Sequence, residues 1–308
     1  MNKIADYDTY DYDYSTYWNK REYEHKSEIL VLEKLLKHNS GRWFLDIGGS
    51  FGRLTKTYSK RYTNPVIVDY SLKTLQKNYA SLKKETPSIE LIAANAYFLP
   101  FKNNTFDGSL MVRVLHHIEK PKECVREIYR VLSHNGIYIQ EYANKLHIKA
   151  VIRAILTLDF SLFNKEPYQQ PDKHHYEGTK EGSKVLFFNY HPRWIATLLT
   201  DIGYNIKKKY GCSFLRLNIL KKLLSTKFLL FWENIFQYTL SWSNISPSIF
   251  IKSLVNKKTE NTEEPNDFAS ILLCPRCKGN LDIQNNRAIC NNCKNEYLKK
   301  ENIWDFRI

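Results

Sequence analysis

Residues 43 to 53, WFLDIGGSFGR, constrain this chain more than any other stretch. Trp43, Phe44, Leu45 and Ile47 form an apolar run that reads as a buried strand. Asp46 stands at its end, and Gly48, Gly49 and Gly52 make a turn into a helix from Leu54. Strand, glycine turn and helix hold a nucleotide-like ligand beyond the carboxyl end of a parallel strand. The spacing is not the G-x-G-x-x-G of a dinucleotide site, and a carboxylate is a poor neighbour for a pyrophosphate. A ligand with a cationic end suits Asp46 better. S-adenosylmethionine has an ammonium and a sulfonium.

The stretch resembles motif I of the class I S-adenosylmethionine-dependent methyltransferases, roughly (D/E)-x-G-x-G-x-G. Asp46, Gly48 and Gly52 match it, and the small Ser50 replaces the middle glycine with Gly49 beside it. PVIVD at 65–69 reads as a second buried strand, with Asp69 lying 23 positions after Asp46 and placed to accept from ribose hydroxyls, as in motif II. Ser71 caps a helix over 72–84. IELIAA at 89–94 reads as strand three, followed by Asn95-Ala96 where the family has Asp-Ala against adenine. FDGSLMVRVLHHI at 106–118 resembles the family's strand-four segment, and Leu99-Pro100-Phe101 its LPF signature. Residues 121–136 read as an amphipathic helix stopped at Asn135-Gly136, and 136–142 as strand five.

The resemblance implies a doubly wound, mostly parallel, seven-stranded Rossmann-like sheet, with YNIKKKY (204–210) as strand six and 246–255 as an antiparallel last strand. It implies cofactor contacts at Asp46, Gly48, Gly49, Ser50, Gly52, Asp69, Tyr70, Asn95, Ala96 and Arg113. His116 and His117 are candidate bases, although two neighbouring histidines more often pack and hydrogen-bond locally. Tyr17-Trp18, Arg21, Tyr23, Glu24 and His25 resemble a segment that closes over the cofactor as a lid in one branch of the family.

The chain divides into an N-terminal lid segment and helix (1–40), a methyltransferase domain (41–255) with inserts at 143–190 and 211–245, a polar linker (256–267) and a C-terminal ribbon (268–308). The first insert follows strand five, emerges over the cofactor end, and carries a helix near 146–158 and a polar loop with His174 and His175. The stretch 214–242 mixes Leu, Phe and Trp with Arg216, Lys221, Lys222 and Lys227, the pattern of a membrane-surface segment, an acceptor-pocket cap, a surface for a phosphate backbone or a cover for the sheet edge.

In the ribbon, Cys274-x-x-Cys277 and Cys290-x-x-Cys293 are separated by twelve residues. Each knuckle presents two thiolates, and four complete a closed tetrahedral zinc site with no position left for catalysis. About 40 residues bury too little core to fold alone, so the metal supplies folding energy. The segment resembles the small zinc-ribbon activator of several tRNA, ribosomal RNA and release-factor methyltransferases, with Tyr297-Leu298 where that family often has Tyr-Pro.

Within 308 residues no charge-free run reaches the length of a membrane span, and the opening residues lack the apolar core of a signal peptide. The expected location is cytoplasmic, with peripheral contact at a membrane. A net charge of +14 suits anionic partners. The expected activity is methyl transfer to a small or amphiphilic metabolite. RNA or protein methylation through the ribbon is the alternative, weakened because Arg113-Val114 stands where many amino-group methylases carry Asn/Asp-Pro-Pro-Tyr. A non-catalytic cofactor-binding activator subunit is the second alternative.

Overall fold

Strand one alternates cleanly. Trp43, Leu45 and Ile47 join one core cluster, and Phe44 joins the opposite one. A strand apolar on both faces needs helices on both sides, and the rest of the chain supplies them. The computed structural model describes residues 8, 14–170, 186–258, 265 and 267–308. His174 and His175 lie outside these residues, as do parts of the N-terminal segment and linker.

The elements follow in chain order. Helix α1 (Glu22–Leu36) precedes β1 (Gly41–Ile47), α2 (Thr55–Tyr58), β2 (Tyr62–Asp69), α3 (Leu72–Glu85), β3 (Glu90–Ala93) and β4 (Phe106–Met111). Then come α4 (Pro121–Val131), β5 (Leu132–Ala143), α5 (Ile148–Thr157), the two-residue pair β6 (Tyr168–Gln169) and β7 (Phe188–Asn189), and α6 (Pro192–Ile202). The chain continues through β8 (Tyr204–Cys212), α7 (Asn218–Leu223), α8 (Thr226–Thr239) and β9 (Ser248–Val255). It ends in β10 (Leu281–Gln284), β11 (Arg287–Cys290), β12 (Glu296–Lys300) and β13 (Ile303–Asp305).

The sheet is larger than expected. Among the described residues it has eleven strands, in the order β10-β11-β12-β13-β3-β2-β1-β4-β5-β9-β8. From β3 to β5 all neighbours are parallel, and β9 lies antiparallel between β5 and β8. Seven of these strands, β3-β2-β1-β4-β5-β9-β8, come from residues 41–255, and β13 pairs in parallel with β3 and adds the four ribbon strands to that edge. An open edge strand offers unpaired N–H and C=O groups, and here the chain's own tail takes them. Trp304 and Phe306 bury in the same cluster as Phe101, so side chains reinforce the junction.

Other boundaries shift. The helix expected from Leu54 is only one turn, since Tyr62 already pairs with Gly41. Helix α4 stops at Val131 rather than at Gly136, because Leu132 turns extended and pairs with Phe106. The stretch 214–242 is two helices, with Leu229, Glu233 and Gln237 buried on α8. Residues 256–257 are not free spacer: Tyr129 Oη donates to the Asn256 carbonyl at 2.7 Å, and Lys257 Nζ donates to the Tyr129 carbonyl at 2.9 Å.

Candidate active site

The sheet places its main pocket beyond the carboxyl ends of β1, β2, β3 and β4, where ligands bind in such folds. Asp46, Gly48, Gly49, Ser50, Asp69, Tyr70, Asn95, Ala96, Arg113 and His117 all line it. Gly52 and His116 do not.

The glycine turn shows why a serine is tolerated. Gly48 has φ +68°, and Ser50 itself sits at φ 49°, in the left-handed region. That conformation favours glycine and costs a serine modestly. The Ser50 amide donates to Asp69 Oδ2 at 2.9 Å, so the strained residue holds the second acid in place. Gly49 cannot be replaced as easily, for a Cβ there would lie 2.9 Å from both the Asp46 carboxyl carbon and Ile67. Gly52 has its own role: a Cβ would meet Leu82 at 2.3 Å, so it sets how closely the turn approaches α3.

Two acids dominate the pocket electrostatically. Burial pushes Asp46 up to about 7, against the hydrogen bond from Tyr58 Oη at 2.8 Å and the charge of Arg53. Burial likewise pushes Asp69 up to about 6, although it accepts from the Ser71 and Ser50 amides. A buried carboxylate that resists ionisation gains most from a cationic partner. The Asn95 amide oxygen accepts from the Tyr97 amide at 3.0 Å, which fixes its orientation.

Two residues outside the expected cofactor set, Trp18 and Arg53, also line the wall, and a third, Glu28, is buried behind it. Arg53 stacks on Trp18 at 3.6 Å and pairs with Glu28 at 2.6 Å. Arg113 Nη2 pairs with the other oxygen of Glu28 at 2.5 Å, and its amide donates to Glu141 at 2.9 Å. The guanidinium of Arg113 is therefore committed to α1. Trp18 lay within the recognisable lid segment, and Arg53 directly follows the glycine turn. Glu28 had no signal beyond its place on an amphipathic helix. The remaining lid residues are also in use: Glu24 pairs with Lys221 at 2.7 Å, and the His25 ring meets Arg53 at 2.8 Å.

The histidine pair divides. The His117 Nδ1 lies 2.7 Å from the Leu186 carbonyl. A carbonyl only accepts, so Nδ1 carries the proton and Nε2 is the acceptor nitrogen of the neutral ring. Burial lowers His117 to about 4, so the ring is neutral near pH 7. His116 is buried against the His117 and Phe187 rings, and its Nδ1 has no hydrogen-bond partner among the described residues.

A second cluster lies in the C-terminal ribbon. The four sulfurs of Cys274, Cys277, Cys290 and Cys293 all fall within 4.8 Å of one another. Cys274 and Cys293 are 3.6 Å apart, and Cys277 and Cys290 3.4 Å. These separations are far beyond a disulfide bond and near the roughly 3.8 Å edge of a tetrahedron with Zn–S of about 2.3 Å. Each knuckle closes the same way. The Lys278 amide donates to the Cys274 carbonyl and the Lys294 amide to the Cys290 carbonyl, with both lysines in the left-handed region. Lys278 Nζ then pairs with Glu127 at 2.6 Å, tying the ribbon to α4.

Comparison with known proteins agrees with the fold. Residues 45–140 match the methyltransferase-domain family. An uncharacterised protein of Methanocaldococcus jannaschii is 34% identical over 142 residues, which is 46% of this chain and 52% of that one. A demethylmenaquinone methyltransferase of Renibacterium salmoninarum is 29% identical over 105 residues, covering 34% of this chain and 43% of its own. The chain thus spans about half the length of the curated relatives it matches. A solved structure from Listeria monocytogenes, described as an S-adenosylmethionine-dependent methyltransferase, superposes with a TM-score of 0.52 over 76% of this chain and 98% of that one, at 15% identity. The fold is that of the Rossmann-like methyltransferases, with a mostly parallel central sheet.

Proposed function

We propose that this protein transfers a methyl group from S-adenosylmethionine to a small or amphiphilic acceptor. The observation that carries the reading is the pair of buried acids, Asp46 and Asp69, in a pocket at the carboxyl ends of the parallel strands. The residues fit the cofactor. Asp46 and the turn at 48–50 would face its cationic methionine end. Asp69 keeps lone pairs for ribose hydroxyls, and Asn95 and Ala96 border the adenine position. When bound, the cofactor supplies an electrophilic methyl on sulfonium.

This chain's part is positioning and water exclusion, which can lower a displacement barrier by several kcal/mol. Trp18, stacked on Arg53, covers the pocket from the α1 side. On the wall that Val112, Val114 and Ile118 also line, His117 is held neutral, with its Nδ1–H on the Leu186 carbonyl. A likeness to a quinone methyltransferase supports an amphiphilic acceptor, as does the apolar character of the segment after β5.

The ribbon is read as a structural zinc module. All four thiolates would close one site, and its strands prolong the sheet at β3 instead of lining the pocket. The alternative acceptors, RNA or protein, keep support from the +14 charge.

Methyl-label partition tests the reading. The purified protein and methyl-labelled cofactor are incubated with a cell extract, and small molecules, lipids, RNA and protein are separated. Label in the small-molecule or lipid fraction is the expected result. Label in RNA or protein overturns the acceptor class. Bound cofactor without label in any fraction overturns catalysis and leaves the activator role.

A further inference from the structure

Helix α8 is packed inside out. Its inward face holds Glu233 and Gln237 against α1, where Glu233 accepts from the Ser213 amide at 2.7 Å, the Phe214 amide at 3.0 Å and the Tyr23 hydroxyl. Its outward face exposes Phe228, Phe231 and Trp232. Helix α5 behaves similarly: only Ala154 is buried, while Ile152, Ile155 and Leu156 face outward, Leu156 at 78% exposure. Helix α7 buries no residue.

Seventeen large apolar side chains are exposed among the described residues, and fourteen of them lie in 148–163 and 219–242. That concentration is not scatter, and exposed apolar surface on this scale calls for a partner. The two segments adjoin. The Ile148 amide donates to the Ile245 carbonyl at 2.8 Å, and Asn144 donates to the Asn244 and Ser246 carbonyls, next to Trp242.

The exposed charge carried by α5, α7 and α8 themselves is basic, with exposed acids only beside them, at Asp159 after α5 and at Glu22, which accepts from Thr226. No acid occurs between Lys145 and Leu158, nor between Ile206 and Phe231, while Lys149, Arg153, Lys222 and Lys227 are exposed there. Residues 171–185 and 259–264, outside the described structure, are PDKHHYEGTKEGSKV and TENTEE, and offer no apolar run to cover it. No helix among the described residues is long and apolar enough to cross a membrane. Exposed aliphatic and aromatic side chains flanked by lysine and arginine on short helices suit a bilayer interface, where apolar burial and attraction to anionic headgroups add.

We propose that α5, α7, α8 and Trp242 together form a docking surface for an anionic lipid bilayer, on which the protein lies peripherally. The proposal deepens the amphiphilic-acceptor reading, for an acceptor dissolved in the bilayer would be collected there. It stands on surface chemistry alone, and its test needs neither cofactor nor acceptor.

The full chain is floated with phosphatidylcholine vesicles with and without phosphatidylglycerol, at low and high salt. Flotation with the anionic vesicles, weakened by salt, is expected. The double variant Leu156→Asp/Leu223→Asp alters two side chains that are 78% and 74% exposed, so its fold is retained while partitioning is lost. Lys222→Glu/Lys227→Glu should lower partitioning roughly thirtyfold or more, from about fivefold per lysine at an anionic surface. Wild-type protein left at the bottom of the gradient with anionic vesicles at low salt overturns the proposal. So does a dimer in sedimentation velocity that Leu156→Asp/Leu223→Asp dissolves, because the surface would then bind a second copy. Retention on RNA with no flotation overturns it as well.

Discussion

Glu28 Oε1 accepts from Arg113 Nε at 2.8 Å and from Nη2 at 2.5 Å, which joins the first helix to the loop after β4. Its other oxygen takes Arg53 at 2.6 Å. One fully buried carboxylate thus compensates two guanidiniums on the pocket wall. Burial alone would push Glu28 up, yet Arg113 and Arg53 together hold it below the usual range.

Glu28→Gln leaves two buried cations short of a partner. Removal of one member of a buried pair costs about 3–5 kcal/mol. Urea unfolding at pH 7 should show a loss of that order. The lowered carboxyl contributes stability above its unfolded value, and that stability fades as pH falls through the depressed one. The wild type should therefore lose more stability than the variant on acidification, and equal acid sensitivity would remove Glu28 from this role.

Asp46 gives a pH dependence of the opposite sign. Its folded value, raised to about 7, makes the ligand-free protein bind protons that the unfolded chain does not. The stability of the ligand-free protein should fall as pH rises from about 4 through 7. A cationic ligand needs the ionised acid, so affinity for S-adenosylmethionine should be full above pH 8. Below pH 7 it should drop about tenfold per unit, and more steeply once Asp69 also takes a proton. Isothermal titration across pH 5.5–8.5 reads this directly, and Asp46→Asn should bind weakly with a flatter profile.

Asp69→Ala should weaken S-adenosylhomocysteine by roughly tenfold or more, the worth of one to two hydrogen bonds to a charged acceptor. The variant also releases the Ser50 amide, so Asp69→Asn is the better control for the turn. Unchanged affinity in both would place the ribose elsewhere.

Much of this was legible from periodicity and motif. The apolar run of β1, the two acids at strand ends and the Ser71 cap are local signals, and the structure uses them locally. What escaped was set by distant partners. The eleven-strand sheet depends on Ile303–Asp305 finding β3, a pairing across some 200 residues that no local pattern announces. The Glu28 clamp joins three segments: Arg53 and Arg113 lay in recognisable motifs, but Glu28 sat on an ordinary amphipathic helix with nothing to pair it to them. The packing of α8 was invisible because two of its three buried residues are Glu233 and Gln237, beside Leu229, and a hydrophobic pattern assigns those two to solvent.

The same long-range pairing makes the ribbon testable from the core. Structural zinc in small cysteine sites contributes about 10–16 kcal/mol of apparent folding free energy, so Cys274→Ser should lose the metal and unfold the tail. Metal analysis should find one zinc per wild-type chain and none in the variant, and zinc-free wild-type protein would refute the assignment. Because Trp304 and Asp305 pair with Ile92 and Ala93, the loss should also travel inward. Amide exchange in Glu90–Ala93 should accelerate in Cys274→Ser or after chelation, while β4 and β5, on the far side of β1, stay protected. Faster exchange confined to residues 268–308 would mean that the ribbon folds as a separate unit and that the shared edge contributes little to β3.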